Sequence, residues 1–554
     1  MPLYSKIRLG LQSVVLVLLL QVAATAMATT EAGVNRNDPP GRLVSVQWLQ
    51  NNLTRPDVIV LDTSPGPAYR KQHIAGAVPT GFFPFGAGDV VPAPVQNRLR
   101  GWGVAQGHHI VIVDPGATYM AARLFWDLLL VGYPVNQLSI LDGGMAKWVS
   151  AGGAVSDQPS TPRAAGDVNL GPPVPAVLVK LPEFLAATAD PQRHVLLEAL
   201  DPEYFFGGAA FFSRGGHVPH ATLMPADDFF RADKTFKSPS ELQPMLQHLG
   251  VRPDQRVLTY CGGGGAAAVP FFALKFLLSY PQVQMFQGSQ RAWLQDPRDL
   301  PVWTYANPHL NRDTDWLKAW ASPMLKSFGL SQVTAVDVRS ADTFGLGHVP
   351  MALNLPAPEL AALAQQPLAL SDRLRASGLN PTHEAVVTGD GGITPRSALA
   401  FVLLHQMGQQ KVSIHLEGFE RWVDRGLDVA RPAAASAATA ALAPAQAGAW
   451  QPRTDVLVAD PSQGPGPFPT VYVSSGSAAA QRLAPGPVVH LPATTLLTAD
   501  GLPRPAKDIW AAINKAGVPR YARVVLFADQ LGDAAMNYVI FKMMGFADVR
   551  VWAP

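Results

Sequence analysis

Short apolar runs of strand length return along this chain in a fixed order, each followed by an aromatic residue and a histidine in a turn. The first unit reads Val58-Ile59-Val60-Leu61-Asp62, then Tyr69 and His73-Ile74-Ala75-Gly76-Ala77. The second reads Val195-Leu196-Leu197-Glu198, Tyr204 and Gly216-His217-Val218-Pro219-His220-Ala221. The third reads Ala335-Val336-Asp337-Val338-Arg339, Phe344 and Gly347-His348-Val349-Pro350-Met351-Ala352. About 40 residues after each histidine a second apolar run arrives, at 109–113, 257–260 and 385–388. A helical stretch rich in Leu and Phe follows each, then another strand and a Gly–Trp signature. Those signatures are Gly143-Gly144 with Trp148, Gly288-Ser289 with Trp293, and Gly418-Phe419 with Trp422. Strands alternating with helices at this spacing predict α/β domains, each a parallel sheet covered by helices on both faces.

A weaker fourth unit closes the chain, with Val471-Tyr472-Val473, Val488-Val489-His490, Val524-Val525-Leu526-Phe527 and Val549-Arg550-Val551-Trp552 in the same order. Between the third and fourth units, 431–450 is almost wholly Ala and Pro with few large apolar residues, which predicts a semi-rigid linker. The stretch 156–175, rich in Pro, Gly and small residues, reads as a second linker. The join near Pro308 is shorter and predicts close packing of units two and three.

At the other end, Lys6 and Arg8 precede a run from Leu11 to Val22 that is apolar except for Gln12, Ser13 and Gln21. Ala24-Thr25-Ala26-Met27-Ala28 follows. This is the pattern of a secretory signal peptide cut near Ala26 or Ala28, and it predicts a protein exported to a bacterial periplasm. The competing reading, an uncleaved anchor, asks for a span of ~20 apolar residues. A content of 48% hydrophobic and 15% charged residues describes a folded chain with ample core. A formal charge of +2, without basic clusters, gives no electrostatic ground for binding nucleic acid or an anionic membrane. The histidines lack ligand spacing, so neither metal nor cofactor is implied.

The chain has one cysteine, Cys261, set between Val257-Leu258-Thr259-Tyr260 and Gly262-Gly263-Gly264-Gly265-Ala266-Ala267-Ala268. A lone cysteine cannot form an internal disulfide, and in an exported protein it is either an intermolecular partner or a reactive group. Four glycines are of no use to a buried structural cysteine. They let the backbone turn so that N–H groups converge in an anion-favouring nest. A helix beginning behind the nest is expected to lower the thiol pKa. The small loop side chains predict an open pocket.

Taken together, the Asp…Tyr…Gly-His-x-Pro-x-Ala elements and the Gly…Trp elements resemble the two signatures of the rhodanese-like sulfurtransferases. Tyr260-Cys261-Gly262-Gly263-Gly264 with Ala266-Ala267 is similar to the active loop of one thiosulfate sulfurtransferase branch. The resemblance covers rhodanese-like domains at 40–155, 176–305, 312–430 and 451–554, which follow the signal peptide at 1–28 and enclose the linker at 431–450. It also implies that Cys261 shuttles between thiol and persulfide, held by Gly262, Gly263, Gly264, Gly265, Ala266 and Ala267. Only the second unit has the cysteine. The corresponding loops lie near Asp114, near Gly389-Asp390-Gly391-Gly392 and near Asp529, and imply inactive scaffolds.

The loop lacks the Arg or Lys that many relatives use for thiosulfate, and the hydroxyl typical of mercaptopyruvate-specific loops. Arg214 matches a position where two-domain relatives place a substrate-binding arginine; Arg291 is a weaker candidate. His217 reads as a turn histidine more than as a base. The expected partners are a small sulfur-containing anion as donor and cyanide, a small thiol or a protein thiol as acceptor. Phosphatase chemistry on a related fold would need an Arg six positions after the cysteine, where Ala267 stands. The alternative function is a sulfur carrier that hands persulfide sulfur only to a protein partner.

Overall fold

The computed structural model describes residues 42–161, 163–431, 450–462 and 466–553. The expected signal peptide lies outside the described residues, as does the Ala/Pro linker apart from Arg431 and Trp450. The chain builds four five-stranded sheets, and within each of them every pair of neighbouring strands is parallel. If the strands of each unit are numbered in chain order, all four sheets run 3-2-4-5-1. In the second unit this is Ala221–Leu223, His194–Glu198, Arg256–Tyr260, Val283–Phe286 and Leu178–Val179. The fourth sheet repeats it with Val488–His490, Thr470–Ser474, Arg523–Phe527, Asp548–Trp552 and Leu457–Val458.

The central strands explain why the apolar runs are continuous instead of alternating. Val58–Asp62, His109–Val113, Glu384–Thr388 and Arg523–Phe527 are buried at every position. Parallel connections cross over through helices on both faces, so neither face of such a strand reaches water.

The described residues fold as two compact bodies, one of residues 42–86, 90–161, 163–174 and 230–236, the other of 87–89, 175–229, 237–431, 450–462 and 466–553. In the first body the stretch after Val155 is not the free linker its composition suggests. Gly166 N–H donates to Arg100 O at 2.8 Å, Val174 N–H to Leu130 O at 2.9 Å, and Val168 is buried. Small residues and proline let this segment lie flat on the domain while its backbone bonds to it. The turn Phe230–Phe236 completes this body: Phe236 N–H donates to Asp142 Oδ1 at 2.8 Å, and Lys147 pairs with Asp233 at 2.7 Å.

In the second body the second, third and fourth sheets share one apolar core. Helices Pro395–Gln406 and Leu531–Met543 pack against each other with Gly532 at the contact, where a Cβ would come within 2.8 Å of Pro395. Arg520 and Tyr521 both bond to Asp228, joining the fourth unit to the second. Among the described residues no helix is long and apolar enough to cross a membrane.

Candidate functional site

The recurrent histidine is a structural device. His73 Nδ1 bonds to Tyr69 O at 2.9 Å and its ring stacks on Tyr69 at 3.9 Å. His348 repeats this with Phe344, at 3.0 and 3.7 Å. In the second unit the aromatic partner is Phe205 and not Tyr204: His217 Nδ1 bonds to Phe205 O at 2.8 Å and stacks on that ring at 3.5 Å. Burial drives its pKa down to about 3, so the imidazole is neutral and uncharged whatever the physiological pH. The tryptophans close the same corner, with Trp148, Trp293 and Trp422 donating Nε1–H to Ala154, Pro301 and Asp428 carbonyls.

Strand Arg256–Tyr260 delivers Cys261 to the end of the sheet. Gly264, at φ +82°, folds the loop back so that its N–H donates to Cys261 Sγ at 3.1 Å. The Ala267 N–H is a second donor to the sulfur. The Gly265 and Ala266 carbonyls accept from Ala268 and Val269, opening the following helix. Two N–H groups thus converge on the sulfur from one short loop, an arrangement that favours negative charge there.

Ser289 supports the cysteine from beneath. Cys261 N–H donates to Ser289 Oγ at 3.1 Å, Ser289 O–H donates to Phe286 O at 2.8 Å, and Oγ lies 3.9 Å from Sγ. Ser289 is fully buried and held at φ +52°. The helix-opening positions of units one and three are Gly144 and Gly418, at φ +54° and +72°. A side chain in this left-handed region costs about 1–2 kcal/mol, so the unit with the cysteine carries strain that the others avoid. The hydroxyl is what it gains. Comparing Gly143-Gly144 with Gly288-Ser289 was the signal available in the sequence.

Contrary to the expectation from a helix N-terminus, burial pushes the Cys261 thiol up, and a nearby Glu198 carboxylate pushes the same way; the loop N–H groups and Ser289 only partly offset this. The physical reason is burial, which takes the sulfur out of water and outweighs the loop N–H donors and Ser289. Nor is the pocket open. Cys261 is 2% exposed, and the Phe211 ring lies where a Cβ on Gly262 would meet it at 3.1 Å.

Glu198 ends the second strand of its sheet, where the other units have Asp62, Asp337 and Ser474, all fully buried. Asp337 is neutralised by Arg339 at 2.6 Å. Glu198 has no such cation; Tyr260 O–H and Gln290 Nε2–H donate to it instead, and burial raises its carboxyl to about 8. Gln290 also donates to Gly216 O, and its N–H bonds to Cys261 O, so this carboxyl, the His217 turn and the loop form one hydrogen-bonded unit.

Of the two arginines, Arg214 is engaged elsewhere, with Asp299 at 2.9 Å and Leu300 O at 3.0 Å. Arg291 sits on the loop: its N–H donates to Gly262 O at 3.0 Å and its guanidinium to Ala87 O at 2.7 Å. Among the described residues it has no carboxylate partner within ion-pair distance. Nor does any group of three or more His, Cys, Asp or Glu there suit a metal ion.

The residue after the corresponding strand is Asp114, Gly389 and Ala528 in the other units. Asp114 fills its own loop, accepting Gly116 N–H at 2.8 Å and Thr118 O–H at 2.6 Å. Asp390 and Asp529 stand one place further on; the first faces Arg396 at 3.6 Å, the second caps Ser477. None of the three loops carries a thiol.

The model of the rhodanese-like domain matches residues 45–151, 182–296 and 320–425. A Pseudomonas aeruginosa protein named a probable 3-mercaptopyruvate sulfurtransferase is 29% identical, covering 46% of this chain and 96% of its own length. A Synechococcus elongatus protein with the provisional name thiosulfate sulfurtransferase is 28% identical over 48% of this chain and 85% of its own. A sulfur carrier protein, TtuD, of Thermus thermophilus is 28% identical, over 46% and 94%.

Proposed function

Because the chain belongs to the rhodanese-like domain family, we propose that its second unit is a sulfurtransferase centre working through a persulfide on Cys261. The observation that carries this reading is the Gly264 N–H at 3.1 Å from Sγ, in a loop whose Ala267 N–H also donates to the sulfur. The Cys261 thiol gives its proton to solvent, and the thiolate attacks the outer sulfur of a small anionic donor. With thiosulfate, the S–S bond breaks and sulfite leaves with the bonding pair. With 3-mercaptopyruvate, the C–S bond breaks and pyruvate leaves as its enolate, which takes up a proton. A cyanide or thiol acceptor then attacks the terminal sulfur and returns the cysteine thiolate, so no net oxidant is needed.

Relatives named for both donors support the coarser activity, sulfur transfer. In this mechanism Gly264 and Ala267 N–H groups hold the persulfide, Arg291 supplies positive charge at the mouth, and Arg214 fixes the segment 299–300 behind it. Phe211 turns aside to admit the donor. The units at 40–155 and 312–430, and a fourth and degenerate member at 451–554, serve as scaffold. Export through a signal peptide at 1–28 belongs to the same proposal.

A second reading, a sulfur carrier serving only a protein acceptor, is favoured by the buried thiol, 2% exposed. Intact mass before and after incubation with thiosulfate or 3-mercaptopyruvate, with Cys261→Ser alongside, tests both. One sulfur gained, released by cyanide as thiocyanate over many turnovers and absent in the variant, supports the transferase. One sulfur gained but not turned over by cyanide or small thiols supports the carrier. No gain from either donor refutes both as written.

A further inference from the structure

Away from the cysteine, the second body encloses a cavity of about 340 Å³ where its second and fourth units meet. That volume lies within the range of small-molecule sites, about 300–1,000 Å³. Neither Cys261 nor any residue of 262–267 lines it. The walls are aromatic. Phe206 and Trp510 stack at 5.3 Å with planes 26° apart, and Phe205 and Phe546 complete an apolar slot.

The polar side of the cavity is one-signed. Arg520, Lys542 and His220 line it, and no Asp or Glu does. Arg520 is held by Asp228 and by Leu223 O. The acids nearest Lys542 are already paired: Asp455 with Arg453 at 2.9 Å, and Asp548 with Arg523 at 3.0 Å and Arg550 at 2.9 Å. The Lys542 ammonium therefore has only the Phe546 and Ala547 carbonyls, each at 3.3 Å. Lys542 is partly exposed and also borders a neighbouring hollow lined by Asp455 and Asp548. Burial of the rest of its side chain lowers its pKa, and an anion in the cavity would supply the charge partner that its two carbonyls do not.

We propose that this cavity is a second ligand site, separate from the cysteine loop, which binds a small aromatic monoanion with its ring against the Phe206–Trp510 pair and Phe546 and its acid group on Lys542. The proposal does not depend on which donor the cysteine uses. It needs the second and fourth units together, since Phe205 and Phe206 come from one and Trp510 and Lys542 from the other.

Titration calorimetry of the full chain with 2-naphthoate, and with the neutral 2-naphthylmethanol, tests it. The expected result is saturable binding of the carboxylate, at least tenfold weaker binding of the alcohol, and at least a tenfold loss in Lys542→Met. Thr222→Trp, which fills the cavity from its rim, is expected to abolish binding. Thermal melts identify any variant that fails to fold, and sulfur uptake at Cys261 is expected to stay unchanged in both. No saturable binding of naphthoate to the unmodified chain, or equal affinity in Lys542→Met and the unmodified chain, overturns the proposal.

Discussion

Replacing Ser289 separates what this residue does for the fold from what it does for the sulfur. Ser289→Ala removes the acceptor of the buried Cys261 N–H and leaves the backbone at φ +52°. An orphaned buried N–H costs about 1–3 kcal/mol, so this variant is expected to unfold at lower urea. Ser289→Gly loses the same acceptor but relieves a left-handed strain of about 1–2 kcal/mol, so it should be the more stable of the two by roughly that amount. It also gives the position the residue type found at Gly144 and Gly418.

Function divides the other way. In the resting site the hydroxyl proton goes to Phe286 O at 2.8 Å, while Sγ waits at 3.9 Å. When negative charge forms on the sulfur, the hydroxyl can swing to it, a charge-assisted bond worth about 1.5–3 kcal/mol. Loss of that bond corresponds to about 10- to 150-fold in rate. Both variants should therefore take up sulfur more slowly by that factor, followed by intact mass against time with whichever donor charges the unmodified protein. Equal stability of the two variants would show that Ser289 carries no strain. Unchanged uptake in both would remove the hydroxyl from the chemistry.

Other positions make sharp expectations. In the loop, Gly264→Ala must place a Cβ at φ +82° and should slow sulfur uptake about 5- to 30-fold for a strain of about 1–2 kcal/mol. Gly263→Ala, with nothing within 4 Å of the added carbon, should leave the rate within about twofold, and a loss as large as that of Gly264→Ala would contradict the geometry. Glu198→Gln tests the buried acid. An unfolded glutamate ionises near pH 4.5 and the folded one near 8, so the folded state holds the extra proton between them. Stability is then full below the lower value and falls as pH rises through this window, by several kcal/mol at most. The glutamine variant should gain most over the unmodified protein at pH 8 and least at pH 5 in denaturant melts; a gain independent of pH would mean that Glu198 is ionised throughout. Asp337→Ala strands the buried Arg339, and about 3–5 kcal/mol of destabilisation is expected. Arg291→Met should raise the donor KM at least tenfold with little change in kcat, whereas Arg214→Met should act on stability; the reverse assignment would restore Arg214 to the site.

Element type and the parallel sheet were legible because such sheets demand continuous apolar runs, and each unit supplies them at Val58–Asp62, Arg256–Tyr260 or Arg523–Phe527. The strand order was not, because apolar runs do not say which strands become neighbours. The tight turn after Cys261 was legible too, since glycines at that density answer to a backbone requirement and Gly264 does adopt a positive φ. The histidine turns could be read as structural because they recur in units with no cysteine.

Other properties depend on distances that sequence spacing does not encode. Arg214 looked free until the fold brought Asp299 to it across 85 residues of chain. The expected low thiol pKa rested on local charge and dipole, but burial is a sum over everything packed around a group, and here it prevails. The thiol's burial, 2% exposed, likewise comes from groups that pack around the loop and not from the loop's small side chains. The repeat, the parallel sheets and the glycine loop around one cysteine follow from periodicity and composition along the chain. Which arginine lies on that loop, how deeply the sulfur is buried and where a second cavity opens come from packing, because each depends on groups that meet only after the units have folded together.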